Sequence, residues 1–547
     1  MRRASLISSV LTIVFVLVAA GCASEGASSA PQVTTAMTTL GTANGVATDD
    51  GVVAFLGLPF AEPPVGDLRF KPPVAVDAWD SPVDAGEFGP ACAQPADAGT
   101  GNLYDNQSED CLTLNVWTPS ADSKKRPVMV WVHGGGWIYE GTEDPLYSGA
   151  HLAARGDVVV VSMEYRLGIF GFSHFDEIPG SGNAGLLDQR LALEWVRDHI
   201  EAFGGDPNDV TLFGESAGGM SATALMAMPS AKGLFHKAIA QSGAGSTARE
   251  TAYAKAVSDE LLGAAGVSDL NELLDLSTEE LVTAQDLILD DAFLGDLLFG
   301  AVVDGDVFPE PPIHAIAKGA ASDVPLLTGT TRDETRLWIF YVPILADISF
   351  DAVVALVPYG ERAIPEGKTV QDVIDLYESN RPGAEPGVIT HAAGSDIFFR
   401  LPAIRLVEAQ LAHQPNNTFF YRFDWPPPAP ASPDNDLGAM HGAELAFMFG
   451  SGNEGWLDIY GPDPLPQPLT EQMMDAWLAF AKTGDPNHSD MPNWPAYDAS
   501  TRATMVFDTT EATAMSEIAD DPAGDERTFW DGVPFDGVTP TSKPEDL

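Results

Sequence analysis

Short apolar runs alternate with longer amphipathic stretches along this chain from about residue 40 onward. The runs PVMVWVH (127–133), DVVVVS (157–162), VTLF (210–213) and VPLLT (324–328) are almost continuously hydrophobic. Strands covered on both faces read this way, because a polar side chain on either face would be buried against a covering layer. Between them lie segments such as AGLLDQRLALEWVRDHIEAF (184–203), whose apolar residues recur at helical spacing. Strand–helix alternation predicts an α/β fold class, with a mainly parallel, doubly wound sheet flanked by helices. The acidic, leucine-rich stretch from about 250 to 300 predicts a helical cap or side layer. No second linker, internal repeat or heptad array interrupts the pattern, so residues 40–547 are expected to form one domain.

The first forty residues follow a different rule. Met1, Arg2 and Arg3 precede an apolar run from Leu6 to Ala20. At about 15 residues, that run is shorter than a bilayer-spanning helix of roughly 20. A basic start, a short apolar run and small residues after it predict an export signal over 1–21. Val18-Ala19-Ala20-Gly21-Cys22 resembles a bacterial lipobox, with Ala19 where leucine is usual. The expectation is diacylation of Cys22 and a protein anchored by lipid in the cell envelope, at the outer membrane of a Gram-negative host, or else secreted. Residues 22–39 are small and polar and predict a flexible tether. In an exported protein Cys92 and Cys111 stand where disulfides persist, and lipidation accounts for the third cysteine, Cys22.

Composition narrows the function classes. Of 547 residues, 45% are apolar and 9% aromatic, which supplies a deep core and excludes a disordered chain. The formal net charge of −51 repels phosphates at long range and argues against a nucleic-acid partner. No later segment is an uncharged apolar run of spanning length, so membrane contact is expected only through the N-terminal anchor.

Two motifs carry chemistry. Gly214-Glu215-Ser216-Ala217-Gly218 fits G-x-S-x-G, directly follows the strand-like VTLF and precedes a helix-like run of small residues. A nucleophile on a strained strand-to-helix turn needs small neighbours, and the helix aims its N-terminal amides at the site. His133-Gly134-Gly135-Gly136-Trp137 follows another strand; its bare glycine amides suit an oxyanion hole, and the lysine and serine or threonine of a phosphate loop are missing. A serine nucleophile needs a base and an orienting acid. His441 lies in the loop beyond the strand-like 418–425, where a general base belongs, while Asp333 and Glu334 remain equal candidates for the acid. No metal or cofactor is called for.

Several long stretches, in this order, resemble the type-B carboxylesterase/cholinesterase family of α/β-hydrolases, and especially its bacterial para-nitrobenzyl-esterase-like members. They include FLGLPFAEPPVGDLRFKPP (55–73), SEDCLTLNVWTP (108–119), NAGLLDQRLALEWVRDHIEAFGGDPNDVTLFGESAGG (183–219), GTTRDET (329–335), MHGAELAFMFG (440–450) and WLAFAKTGDPN (477–487). The resemblance implies an α/β-hydrolase fold and a serine carboxylesterase acting on a small-molecule ester through an acyl-enzyme. It implies Ser216 as nucleophile, His441 as base and Glu334 as acid, with Thr335 where the family has a glycine. It also implies oxyanion donors at Gly135, Gly136 and Ala217, a Cys92–Cys111 disulfide and a structural ion pair between Arg69 and Glu109. The alternatives are an inactive binding or adhesion relative and a lipase-type esterase for longer acyl chains. Choline recognition in the family uses a tryptophan in the first disulfide loop; here that loop has only Tyr104, against a cholinesterase. Glu215 is expected to point away from the site and Asp188 to be structural. Trp137, Trp338, Phe340 and Tyr341 are expected to pack in the core rather than line a pocket.

Overall fold

The computed structural model describes residues 32–533, apart from 97–103, 245–247, 291–297, 353–363, 430–435, 454–455, 511–512 and 515. Its centre is an eleven-stranded sheet. In chain order the strands are β1 (Val46–Ala47), β2 (Val53–Pro59), β3 (Thr113–Thr118), β4 (Arg126–Val132), β5 (Val159–Met163), β6 (Gly205–Glu215), β7 (Lys237–Gln241), β8 (Leu326–Thr331), β9 (Thr418–Phe423), β10 (Ala503–Phe507) and β11 (Glu517–Asp520). Their spatial order is β11-β10-β9-β8-β7-β6-β4-β5-β3-β2-β1. From β5 through β4 and β6 to β10 all neighbours are parallel, and the flanking pairs are antiparallel.

The apolar runs are continuous because both faces of this sheet are covered. Along β4, Val128, Val130 and Val132 join one core cluster while Met129 and Trp131 join the other. The helix α1 (Ala184–His199) packs Leu186, Leu193 and Val196 into the first cluster. The predicted helical stretch 184–203 ends in a 3₁₀ turn over its last four residues, Ile200–Phe203. After β6 comes α2 (Ala217–Ala227), and the acidic segment beyond it forms α3 (Thr251–Ala264) and α4 (Thr278–Asp290). Further on, α5 (Pro386–Ser395) precedes β9, and α6 (Gln467–Thr483) buries Met473, Trp477 and Phe480 in the second cluster.

The order of crossovers locates the site. From β4 the chain moves to β5 on one side, then crosses to β6 on the other. Loops leaving adjacent strands in opposite directions open a crevice at the carboxyl ends, where doubly wound sheets bind ligands. The glycine-rich loop follows β4 and the serine motif follows β6, so the two face each other there.

The expected tether over 22–39 is corrected at its end. Thr35–Met37 pairs antiparallel with Thr42–Asn44, which adds Val83–Asp84 in parallel. The segment has a single inward side chain, Ala36, and it is buried; backbone pairing orders it although no apolar period announces it. The export signal (1–21) and Cys22 lie outside the described residues. Among the described residues no helix is long and apolar enough to cross a membrane.

Candidate active site

β6 ends at Glu215, and Ser216 takes φ +55° and ψ −125° before α2 begins. A positive φ at a non-glycine residue stores strain and is held only by close packing around it. The glycines make that packing possible. A Cβ on Gly214 would stand 2.5 Å from the Gly218 carbonyl carbon, and one on Gly218 would run into the Val132 carbonyl oxygen. Backbone bonds fix the turn: Ser216 N–H donates to Gln241 O at 3.0 Å, and Met220 N–H donates to Ser216 O at 2.8 Å.

The loop after β4 abuts the nucleophile, since a Cβ on Gly134 would lie 3.2 Å from Ser216 Cβ. Gly135 and Gly136 have φ of +80° and +63°, which side chains rarely adopt. The Gly134 amide is occupied, donating to Glu140 Oε2 at 3.1 Å. Gly135 and Gly136 open the 3₁₀ turn Gly135–Trp137, and Ala217 opens α2. Amides at those first positions have no intrahelical acceptor, and the helix dipole adds partial positive charge there.

The acid and base arrive from the next strands. Glu334 begins a 3₁₀ turn three residues past the end of β8 and is fully buried. Its Oε1 accepts Thr331 N–H at 2.8 Å and Ser242 O–H at 2.7 Å, and its Oε2 lies 2.6 Å from His441 Nδ1. Asp333 turns elsewhere: its Oδ2 accepts Ala439 N–H at 3.0 Å and Arg332 Nε–H at 2.9 Å, anchoring the loop that carries His441. Of the two carboxylates left open by the sequence, Glu334 meets the imidazole. Thr335 ties the turn to α5, with its hydroxyl donating to His391 O at 2.8 Å.

Glu215 corrects an expectation. It does not point away: its carboxylate is buried, and Oε1 lies 3.2 Å from His441 Nε2. The site is a crevice at the sheet end, so a residue alternating to the opposite side from Ser216 still faces it. The Glu215–His441 contact is at ion-pair distance, and Nε2 makes no hydrogen bond. Burial pulls the imidazole pKa down, but the charges of Glu215 and Glu334 and the Nδ1 hydrogen bond outweigh it and hold His441 up at about 9. Desolvation pushes the Glu215 carboxyl well above the ordinary range.

Other residues escaped the sequence reading. Ser242 steadies the acid, itself at φ +45°. Glu444, buried three residues after His441, accepts from Tyr421 O–H at 3.1 Å and Gln241 Nε2–H at 3.2 Å; the H-x-x-E spacing in MHGAEL was its only signal. Phe399, on a π-helical turn, lies tilted with its ring centre 4.7 Å from that of His441, and Trp338 lies 5.6 Å from it. Trp338 therefore borders the base while, half-buried, it also packs against the second core cluster. Trp137 is core, packed on Phe172 at 5.5 Å with its indole N–H donating to Ser221 Oγ. Phe340 and Tyr341 are half-buried and pack edge to face.

The remaining residues singled out lie around this centre. Cys92 and Cys111 are joined as a disulfide with Cα atoms 5.0 Å apart. Arg69 grips Glu109 through two bonds of 2.7 and 2.8 Å and donates also to Leu274 O and Leu276 O. The paired, hydrogen-bonded geometry is what a buried ion pair requires. Asp188 is buried against Arg166 with bonds of 2.7 and 2.8 Å. Tyr104 is buried, its hydroxyl donating to Gly141 O at 3.3 Å.

The chain is similar to known hydrolases over most of its length. The model of the carboxylesterase family matches residues 29–530. The para-nitrobenzyl esterase of Bacillus subtilis is 41% identical over 490 residues, covering 88% of this chain and 95% of that one. The phenmedipham hydrolase of Pseudarthrobacter oxydans is 33% identical, covering 86% and 94%. Among solved structures, a carboxylesterase of Geobacillus stearothermophilus superposes with a TM-score of 0.80 at 36% identity, covering 91% of this chain and all of that one. A para-nitrobenzyl esterase structure superposes at 0.77 with 38% identity, covering 91% and 99%. With a strained serine elbow beside a glycine loop and a carboxylate-held histidine, and with these likenesses, the chain belongs to the carboxylesterase family of α/β-hydrolases, as a carboxylic ester hydrolase.

Proposed function

We propose that Ser216, His441 and Glu334 form the catalytic triad of a serine carboxylesterase. The observation that carries this is the 2.6 Å contact of Glu334 Oε2 with His441 Nδ1, which leaves Nε2 directed to the elbow, beside the Glu215 that precedes Ser216. His441 takes the hydroxyl proton as Ser216 Oγ attacks the ester carbonyl, and Glu334 stabilises the imidazolium that forms. The amides of Gly135, Gly136 and Ala217 bind the tetrahedral oxyanion. The imidazolium returns its proton to the departing alcohol, leaving an acyl-serine. Water then attacks the acyl carbon, deprotonated by His441, and releases the acid. Turnover of p-nitrophenyl butyrate that disappears in Ser216→Ala is the expected result; no turnover by folded wild-type protein across several acyl lengths would instead favour a binding-only relative.

The surroundings of the base are aromatic, with Phe399 and Trp338 beside His441. That lining supports small esters with an aromatic group on the alcohol side, in keeping with relatives named for para-nitrobenzyl ester and phenmedipham hydrolysis. An ester panel varying acyl and alcohol sides separately tests this; a uniform preference for long acyl chains would favour a lipase-type enzyme. The anchoring of the protein is a separate reading, resting on residues 1–22 alone. Cys22 is read as lipidated, so that Cys22→Ala releases active enzyme from membranes or leaves it unprocessed. Absence of label from a palmitate analogue on wild-type protein would overturn the anchor and leave the esterase untouched.

A further inference from the structure

Beneath the glycine loop stands a carboxylate that the triad does not use. Glu140 has φ +79°, a backbone conformation that only glycine adopts without strain. Gln94 holds it there from both sides. Glu140 N–H donates to Gln94 Oε1 at 2.9 Å, while Gln94 Nε2–H donates to Glu140 O at 2.8 Å and to Cys92 O at 3.0 Å. The clamp is thus fixed to the Cys92–Cys111 disulfide, two residues away.

The strained backbone aims the side chain under the loop. Glu140 Oε2 accepts two hydrogens at once, from Gly134 N–H at 3.1 Å and from the buried Tyr147 hydroxyl at 2.6 Å. Its methylenes fill the space beside Gly135, where an added Cβ would lie 3.0 Å from Glu140 Cγ. A run of three glycines has the largest conformational freedom a chain can have. Donors that must meet a developing oxyanion act best when already in place, and a misplacement of about 1 Å can cost on the order of 100-fold in rate.

We propose that Glu140 is a positioning residue for ester hydrolysis, locking the glycine turn through the Gly134 amide so that the neighbouring amides of Gly135 and Gly136 are held toward the oxyanion. Tyr147 fixes the carboxylate, and Gln94 maintains the backbone that delivers it. The inference rests on the esterase reading of the site: wild-type protein without turnover would sink that reading, whereas equal turnover by wild type and variant sinks only this one.

The test uses the full chain carrying Glu140→Gly or Glu140→Gln. Glycine suits the backbone but removes the acceptor; glutamine keeps an oxygen for the Gly134 N–H. If Glu140 served the fold alone, the glycine variant would lose stability while the folded protein kept its kcat. The expected result for Glu140→Gly is kcat on p-nitrophenyl butyrate lowered about tenfold or more with KM within about twofold. The inhibition constant of a trifluoromethyl ketone, which forms a tetrahedral adduct, should rise by the same factor as kcat/KM falls. Glu140→Gln should stay within about threefold of wild type, since the acceptor rather than the charge holds the loop. Unchanged kcat in Glu140→Gly, a raised KM at constant kcat, or equal losses in the two variants would each overturn the proposal. Should the glycine variant fold poorly, Tyr147→Phe takes its place. It frees the carboxylate to leave Gly134, kcat is expected to drop severalfold, and an unchanged kcat would be decisive against.

Discussion

His441 is surrounded by acid groups: Glu334 at Nδ1, Glu215 at Nε2 and Glu444 three residues on. The imidazole must be neutral to take the serine proton, so activity is lost as pH falls through its folded pKa. Because these acid groups outweigh burial and raise that pKa, the acid limb of kcat/KM should sit above pH 6.5, the ordinary histidine value. Glu215→Gln removes the carboxyl group beside Nε2 and should move the limb to lower pH; a limb that stays put would show that Glu215 does not act on the base. Glu334 is more exacting. Its two oxygens accept three donors, from Thr331, Ser242 and His441. Glu334→Gln turns an NH₂ group toward one of them and cannot stabilise the imidazolium, so kcat should fall on the order of 1,000-fold with the fold intact. Asp333→Asn only loosens the Ala439 anchor, and about tenfold is expected. The reverse order of damage would show that the wrong carboxylate carries the role. Sequence narrowed the acid to this pair, and family resemblance favoured Glu334; the contact that separates them spans 107 residues and belongs to no local pattern.

The elbow is the element on which the site depends. β6 and α2 meet at Ser216 with so little room that α2 begins against the carbonyl of Val132 at the end of β4. Gly218→Ala forces that contact apart. Overpacking of this kind costs about 1–3 kcal/mol, and the shift of Ser216 should lower kcat at least about tenfold; circular dichroism melting and esterase assay on the purified variant check both. A stable variant with full activity would show that the turn has slack. The elbow was legible beforehand because G-x-S-x-G follows VTLF directly, and the strands were legible because their runs are apolar on both faces. Thr35–Met37 was not, since its order comes from pairing with Thr42–Asn44 rather than from its own small, polar residues. The direction of Glu215 was misread for a related reason. Alternation fixes which side of β6 it occupies, but not that the loop after β4 and His441 close over that side.

Across the whole molecule, the Cys92–Cys111 bridge closes a loop of 19 residues in sequence, distant from the carboxyl-terminal half that supplies the acid and base. On the chain-entropy view such a loop contributes roughly 3 kcal/mol. Spread over the unfolding entropy of a chain this long, that should lower Tm by about 3 °C in Cys92→Ser/Cys111→Ser protein. An unchanged Tm would mean that the reduced chain keeps the loop closed by other contacts, such as the Arg69–Glu109 pair beside it. The sequence by itself determined the alternation of strand and helix, the serine and glycine motifs and the family. Each of these is written in residues close together in the chain, where periodicity and turn chemistry act. Only the tertiary structure showed the Glu334–His441 contact itself, that Glu215 faces the other ring nitrogen, and that Glu140 bonds to the glycine loop. Those outcomes depend on where β4, β6, β8 and the loop after β9 converge, and on burial that turns isolated side chains into coupled charges.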